Sequence, residues 1–359
     1  MKLQYTRIET LDIIRGMAIA MMVFTHFYSY IVNPHEIDML QLARLDRLAS
    51  WWCVPLFYFI IGYTLVIQID RKSRDGYSNR ELRKYILVRS FLIYCYGIIL
   101  NMYQVGLQYV WHWSTLQIIS IGYIVTYVLR NTSNFLRILL TIAILFTSFA
   151  LAPYYGAHRY QGEWDLLRFV EGLIYSGGNP IFPWIVYFLI GSILPNLKIR
   201  KIGVIQTCFI SVLLLTVAIV IRKSIPMHKY PATLTYNLLF MSASILLFVV
   251  IFWVREIKRS GVLVFYPFKV FGMYPLTIFM GHIIIGMYLI KFFNILRQGN
   301  LAEFLLIYVM TFIFIGAIGH LWQKSEFKYS LDWLLRWFSY KAMKHKELAQ
   351  SETLYASIK

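Results

Sequence analysis

The sequence is short of charge. Of its 359 residues only 14% are Asp, Glu, Lys or Arg, against 59% hydrophobic and 18% aromatic, and the mean hydropathy is +0.60. A soluble protein carries roughly 25% charged residues, so this chain has too few polar groups to cover a water-facing surface. That excludes the pair of soluble domains its length would allow. Cysteine is scarce too. Cys53, Cys95 and Cys208 lie in or beside apolar runs without paired spacing, which argues against a disulfide framework and against a zinc site; no metal is expected. Acids are half as many as bases, 17 against 35. In a soluble protein that excess would point to nucleic acid, but membrane proteins gather Lys and Arg in their cytoplasmic loops, so no nucleic-acid partner is expected. Sustained apolar/polar alternation is missing, which excludes a membrane barrel. No internal repeat suggests a duplicated transporter fold. Nor is a cleavable signal peptide visible, since the first apolar run, Leu11 to Val32, is too long for one and contains Asp12 and Arg15.

What the chain does have is apolar runs of about twenty residues, enough to cross roughly 30 Å of hydrocarbon at 1.5 Å per residue. The expected fold is all-α, a polytopic transmembrane helix bundle of about ten spans. They fall near 11–32, 51–69, 85–104, 114–130, 136–152, 181–196, 202–221, 233–254, 270–290 and 301–322. The stretch Gly261 to Gly272, interrupted by Pro267, reads as re-entrant or interfacial. With ten spans, 24 of the 35 basic residues fall on the side of the termini and 9 on the other, while Arg15 and Arg89 lie inside spans. This places both termini in the cytoplasm of a multi-pass cell-membrane protein, with Arg222, Lys223 and Lys229 dissenting. Residues 1–325 read as one transmembrane domain and 326–359 as a basic cytoplasmic tail. Within the tail, Leu331 to Lys346 alternates Trp333, Leu334, Leu335, Trp337 and Phe338 with Arg336, Lys341, Lys344 and Lys346, an amphipathic pattern expected to lie on anionic membrane lipid. The segment 153–179 is expected to cap an outward-facing cavity.

A charge near mid-bilayer costs at least about 2.5–3.5 kcal/mol, so each ionisable residue in a span requires a reason. The first span holds Asp12, Arg15 and His26. On a helix, Arg15 and His26 come within about 20° of each other around the axis and roughly 16 Å along it, with Asp12 on the same side. Ile19 and Met22 lie between. Two readings stand at this point. In one, Asp12 complements the helix dipole, Arg15 snorkels and His26 is a satisfied core histidine. In the other, the three line a path from the cytoplasm, with the guanidinium holding an anion and the imidazole doing acid–base work. Arg89, early in the third span, could join Arg15 in clamping a phosphate. His282, in the ninth span after Gly281, is a further candidate, with the glycine permitting close helix approach.

The run Arg7-Ile8-Glu9-Thr10-Leu11-Asp12-Ile13-Ile14-Arg15-Gly16-Met17-Ala18, continuing to His26, resembles the opening of the transmembrane acyltransferases. These include the acyltransferase type three and the heparan-α-glucosaminide N-acetyltransferase-like proteins. Pro55 to Tyr63 is similar to their Phe-rich second span ending in a glycine. Three later stretches look closer to the second branch: Asn179-Pro180-Ile181-Phe182-Pro183-Trp184 leading to Gly191, Tyr230-Pro231-Ala232-Thr233-Leu234, and Phe271-Gly272-Met273-Tyr274-Pro275-Leu276-Thr277 leading to His282.

The resemblance implies a membrane O- or N-acyltransferase. It would move an acyl group, usually acetyl, from cytoplasmic acyl-CoA to a sugar hydroxyl or amine of a cell-envelope or extracytoplasmic glycan. By resemblance His26 is catalytic, with Asp12 and Arg15 its motif partners. Arg15 and Arg89 would bind the donor and His282 the acceptor. The donor's pantetheine arm would run outward past Ile19 and Met22 toward His26. A transporter or exporter of an anionic or sugar-like solute would use the same polar residues and is the alternative.

Overall fold

A computed structural model describes residues 8–33, 41–107, 110, 112–151, 166–176, 179–197, 201–230 and 232–343. In chain order the helices are α1 (Glu9–Ile31), α2 (Gln41–Arg74), α3 (Asn79–Val105), α4 (Thr115–Leu129), α5 (Asn134–Leu151), α6 (Leu166–Glu171) and α7 (Ile181–Ile193). They continue with α8 (Lys201–Ile221), α9 (Leu234–Phe252), α10 (Val262–Met273), α11 (Pro275–Gly281), α12 (Met287–Phe292), α13 (Leu301–Gln323) and α14 (Leu331–Ala342). Among the described residues there is no strand, only the isolated bridges Val32–Gly299 and Lys229–Ala232. Each apolar run marked in the sequence falls largely on helix among the described residues. Among the described residues seven helical stretches are long and apolar enough to cross a membrane, so the protein is a multi-pass helical membrane protein. The runs at 114–130, 136–152 and 181–196 form shorter apolar helices. Residues 153–165 of the expected outer cap, and the tail beyond Met343, lie outside the described residues.

The ninth run begins later than its hydropathy suggests. α10 ends at Met273, and α11 starts at Pro275. Proline lacks an N–H and disfavours helical geometry in the residue before it, and Tyr274 accordingly adopts φ −137°, ψ 53°. The stretch read as re-entrant or interfacial forms α10, with Pro267 inside it.

The chain forms two compact units. One consists of its two ends, up to Val54 and from Ile251; the other is Pro55–Val250.

In the first unit α1 packs along α10, and two glycines make the crossing. A Cβ on Gly16 would stand 1.8 Å from the Phe268 carbonyl oxygen, and one on Gly272 would stand 1.8 Å from that of Asp12. Backbone touches backbone, the usual reason for small residues between membrane helices. The start of α1 is tied to the same region. Glu9 pairs with Arg255 and Lys269, and Glu256 accepts from both the backbone N–H and the hydroxyl of Thr10, each at 3.1 Å. On another face of α1, Phe24 meets Phe304 and Tyr308 of α13 edge-on at 5.1 and 5.2 Å.

The second unit repeats the device. A Cβ on Gly62 would lie 2.3 Å from the Phe188 carbonyl oxygen, and one on Gly191 would lie 2.1 Å from that of Phe59, so α2 and α7 also cross through paired glycines. Two stretches singled out by resemblance meet in this unit. Trp184, buried, packs against Tyr230 and Tyr236 at 6.3 and 5.9 Å. Tyr187 donates to Asn237 Oδ1 at 3.0 Å, and the Asn237 amide donates to the carbonyls of Ala232 and Thr233.

Arg137 lies in the first turn of α5. It is 1% exposed and donates to the carbonyls of Leu129, Arg130 and Thr132 at the end of α4, and of Ser192 near the end of α7. Helix C-termini leave carbonyls without intrahelical donors, and a cation there also complements the helix dipoles. Arg137→Met keeps the length and strands those acceptors, at about 1–3 kcal/mol for each left buried and unmet. A fall in the thermal unfolding temperature of the purified protein is the expected result.

Candidate functional site

α1 is one uninterrupted helix, so the sector expected for Asp12, Arg15 and His26 survives intact, and all three act within the first unit. Arg15 Nη1 donates to Asp12 Oδ1 at 3.1 Å, one helical turn back, and to the Gly272 carbonyl at 3.0 Å. The guanidinium thus bridges α1 to α10 beside the glycine crossing. Its side chain is 15% exposed and that of Asp12 8%. Ile19 and Met22 are buried, at 0% and 3%. The face between Arg15 and His26 is a packed seam in this structure, not the open path expected for a donor arm.

At the other end of the seam His26 meets His282. His26 Nδ1 lies 2.8 Å from His282 Nε2, and the rings are nearly parallel, at 14° with centroids 5.1 Å apart. On its far side His282 Nδ1 lies 2.9 Å from the Ile278 carbonyl oxygen. These contacts assign the protons. A carbonyl only accepts, so His282 Nδ1 carries hydrogen and donates to it. The uncharged His282 ring is then an acceptor at Nε2. His26 Nδ1 must therefore be the donor between the rings, which leaves the lone pair of an uncharged His26 on Nε2. The orientation of one imidazole is passed to the other from a backbone carbonyl.

Local structure explains how His282 comes to be there. It opens a π-helical turn, His282–Gly286, between α11 and α12; such wide turns recur at functional sites. His282 is 5% exposed while His26 is only half-buried. The expectation that Gly281 permits close helix approach is not met, since a Cβ there would touch nothing within 4 Å. Gly286 does that work, where a Cβ would stand 2.9 Å from the Phe27 ring of α1.

Arg89 belongs to the second unit. Its Nη1 donates to the Tyr85 hydroxyl at 2.9 Å and its Nε to the Tyr123 hydroxyl at 3.3 Å. Lys72 Nζ sits 5.0 Å and Arg89 Cζ 5.8 Å from the centre of the same Tyr85 ring, so two cations gather at one tyrosine. Arg15 and Arg89 belong to different units. Among the described residues no group of three His, Cys, Asp or Glu could hold a metal ion.

Sequence reasoning missed Glu9 and Glu256, which fix the head of α1, and Asp332, which accepts from the backbone N–H groups of Leu276 and Thr277 at 3.2 and 2.9 Å. Asp332 is a half-buried carboxylate at the N-terminus of α11. Its partners lie 56 and 55 residues away in the chain, so no local spacing announces it.

The class these observations define is a multi-pass helical membrane protein with a hydrogen-bonded histidine pair inside one of its units. The chain matches the family model described as heparan-alpha-glucosaminide N-acetyltransferase, catalytic, over residues 7–211, more than half its length, and it belongs to that family. No curated protein matches it. The family match takes in Asp12, Arg15, His26 and Arg89, whereas His282 lies beyond it.

Proposed function

We propose that the protein is an acetyltransferase that moves an acetyl group from acetyl-CoA to a hydroxyl or amine of a cell-envelope or extracytoplasmic glycan, with His26 as its base. The observation that carries this reading is the chain from the Ile278 carbonyl through His282 to His26, which holds one imidazole with its basic nitrogen defined. Family membership supports the acetyl chemistry. In the transfer, the acceptor O–H or N–H gives its proton to His26 Nε2 while its oxygen or nitrogen bonds to the thioester carbonyl carbon. The C–S bond then breaks, and the coenzyme A thiolate takes the proton back from the imidazolium. The same lone pair could instead take the acetyl group first, as an acetyl-imidazole. Single-turnover labelling from acetyl-CoA without acceptor separates the two, since only the relay leaves label on His26.

In this reading His282 is a positioning residue. Asp12 and Arg15 hold the α1–α10 crossing that sets the two histidines opposite each other. His282→Ala removes the acceptor that defines the His26 tautomer, so kcat falls while the KM for acetyl-CoA holds. His282→Gln, whose amide oxygen can still accept from Nδ1, recovers part of the loss. A fall in neither variant would remove His282 from the mechanism.

The deciding test is transfer of labelled acetyl from acetyl-CoA to glucosamine-bearing acceptors by the purified protein and by His26→Ala. Equal rates would overturn the assignment. Solute flux through proteoliposomes without any acyl donor would favour the transporter instead.

A further inference from the structure

The last described helix, α14, is fastened to α11, which leads into the turn that carries His282. After α13 the chain turns back through Glu326, Phe327 and Tyr329, all at positive φ of 58°, 52° and 66°, a conformation rarely held by residues other than glycine unless surrounding contacts enforce it. One such contact is Phe327, 0% exposed and stacked on Tyr274 at 4.8 Å. Ser330 then caps α14. Next to it the Thr277 hydroxyl donates to Asp332 at 2.8 Å and accepts from the Leu331 N–H at 3.0 Å. With its two backbone contacts, Asp332 supplies the N-terminal cap that Pro275 and Tyr274 do not give α11. Five residues after Thr277 comes His282.

The other face of α14 has a different chemistry. Leu335 and Ser339 point inward, whereas Trp337 and Phe338 are 40% and 42% exposed. Trp333 and Trp337 stack at 6.2 Å, and Lys341 Nζ lies 4.9 Å over the Trp337 ring. The basic pattern runs on in the sequence through Lys344 and Lys346. The helix is anchored where two apolar membrane-length stretches, Pro275–Phe292 and Leu301–Gln323, have their near ends, which sets it at the level of lipid headgroups. Indole rings favour that level, and clustered cations there attract anionic lipid.

We propose that the aromatic, basic face of α14 is a binding surface for anionic lipid headgroups, and that its docking, passed through Asp332 to Thr277, holds α11 in place beneath the histidine pair. The second half rests on the acetyltransferase reading; the first does not. The test uses the full-length protein in nanodiscs of phosphatidylcholine alone or with added phosphatidylglycerol, followed by hydrogen exchange of 331–342. Anionic discs are expected to slow exchange several-fold, by roughly fivefold for each cation engaged, and Arg336→Gln with Lys341→Gln diminishes the difference. Equal exchange in both discs, or an undiminished difference in the double variant, overturns the lipid surface whatever the enzyme does. Asp332→Ala is expected to speed exchange at Leu276 and Thr277 while α14 keeps its lipid dependence, and Asp332→Asn restores part of it. Unchanged exchange at those two amides would break the link to α11.

Discussion

His26→Ala lowers kcat/KM for acetyl transfer by roughly 10²–10⁴-fold, the usual contribution of a positioned general base, and leaves the thermal unfolding temperature nearly unchanged. Both halves of this expectation come from the geometry. His26 is half-buried and meets His282 through one ring nitrogen, so truncation removes a reactive group without opening the core. His282 keeps its bond to the Ile278 carbonyl and is not orphaned on that side. Initial-rate kinetics beside a melting curve on the same preparation reads both quantities. A large drop in melting temperature would mean that His26 is a core residue and that the loss of activity is secondary.

Gly272→Val has the opposite signature. The added Cβ would overlap the Asp12 carbonyl oxygen at 1.8 Å, and a backbone atom cannot swing aside as a side chain does. Overpacking costs about 1–3 kcal/mol where side chains can shift; here α1 and α10 must separate, so the cost is at least at the top of that range. Separation also removes the Arg15 contact to the Gly272 carbonyl and disturbs the seam that ends at His26. Stability and activity therefore fall together, measured by thermal unfolding and by acetyl transfer. Gly281→Ala is the control, since nothing lies within 4 Å of its Cβ position. If Gly272→Val melted like the native protein, the crossing would not be the tight contact described.

The two variants separate chemistry from scaffold, a distinction the resemblance to known acyltransferases leaves open. The stretch from Leu11 to His26 mixes the two. Gly16 is there because Phe268 of α10 leaves no room for a Cβ, and Asp12 and Arg15 are joined to each other and to the α10 backbone. Within that stretch, His26 is the proposed base, placed against His282 by its Nδ1.

The helices and their membrane-spanning character were determined by the sequence alone, because hydropathy and length are local properties and each run carries its own. So was the common sector of Asp12, Arg15 and His26, since one unbroken helix makes angular position a matter of counting residues. The break at Tyr274–Pro275 was written in the proline, though hydropathy hid it by running across. What the tertiary structure decided is everything that joins distant parts of the chain. His26 and His282 stand 256 residues apart, and Glu9 finds Arg255 and Lys269 across a similar interval. Gly16 and Gly272 could be seen as motif glycines, yet only the crossing makes them a pair. Asp332 carried no sign at all, because a cap supplied by another helix depends on where that helix docks. Periodicity describes which way a side chain faces; folding determines what it meets there.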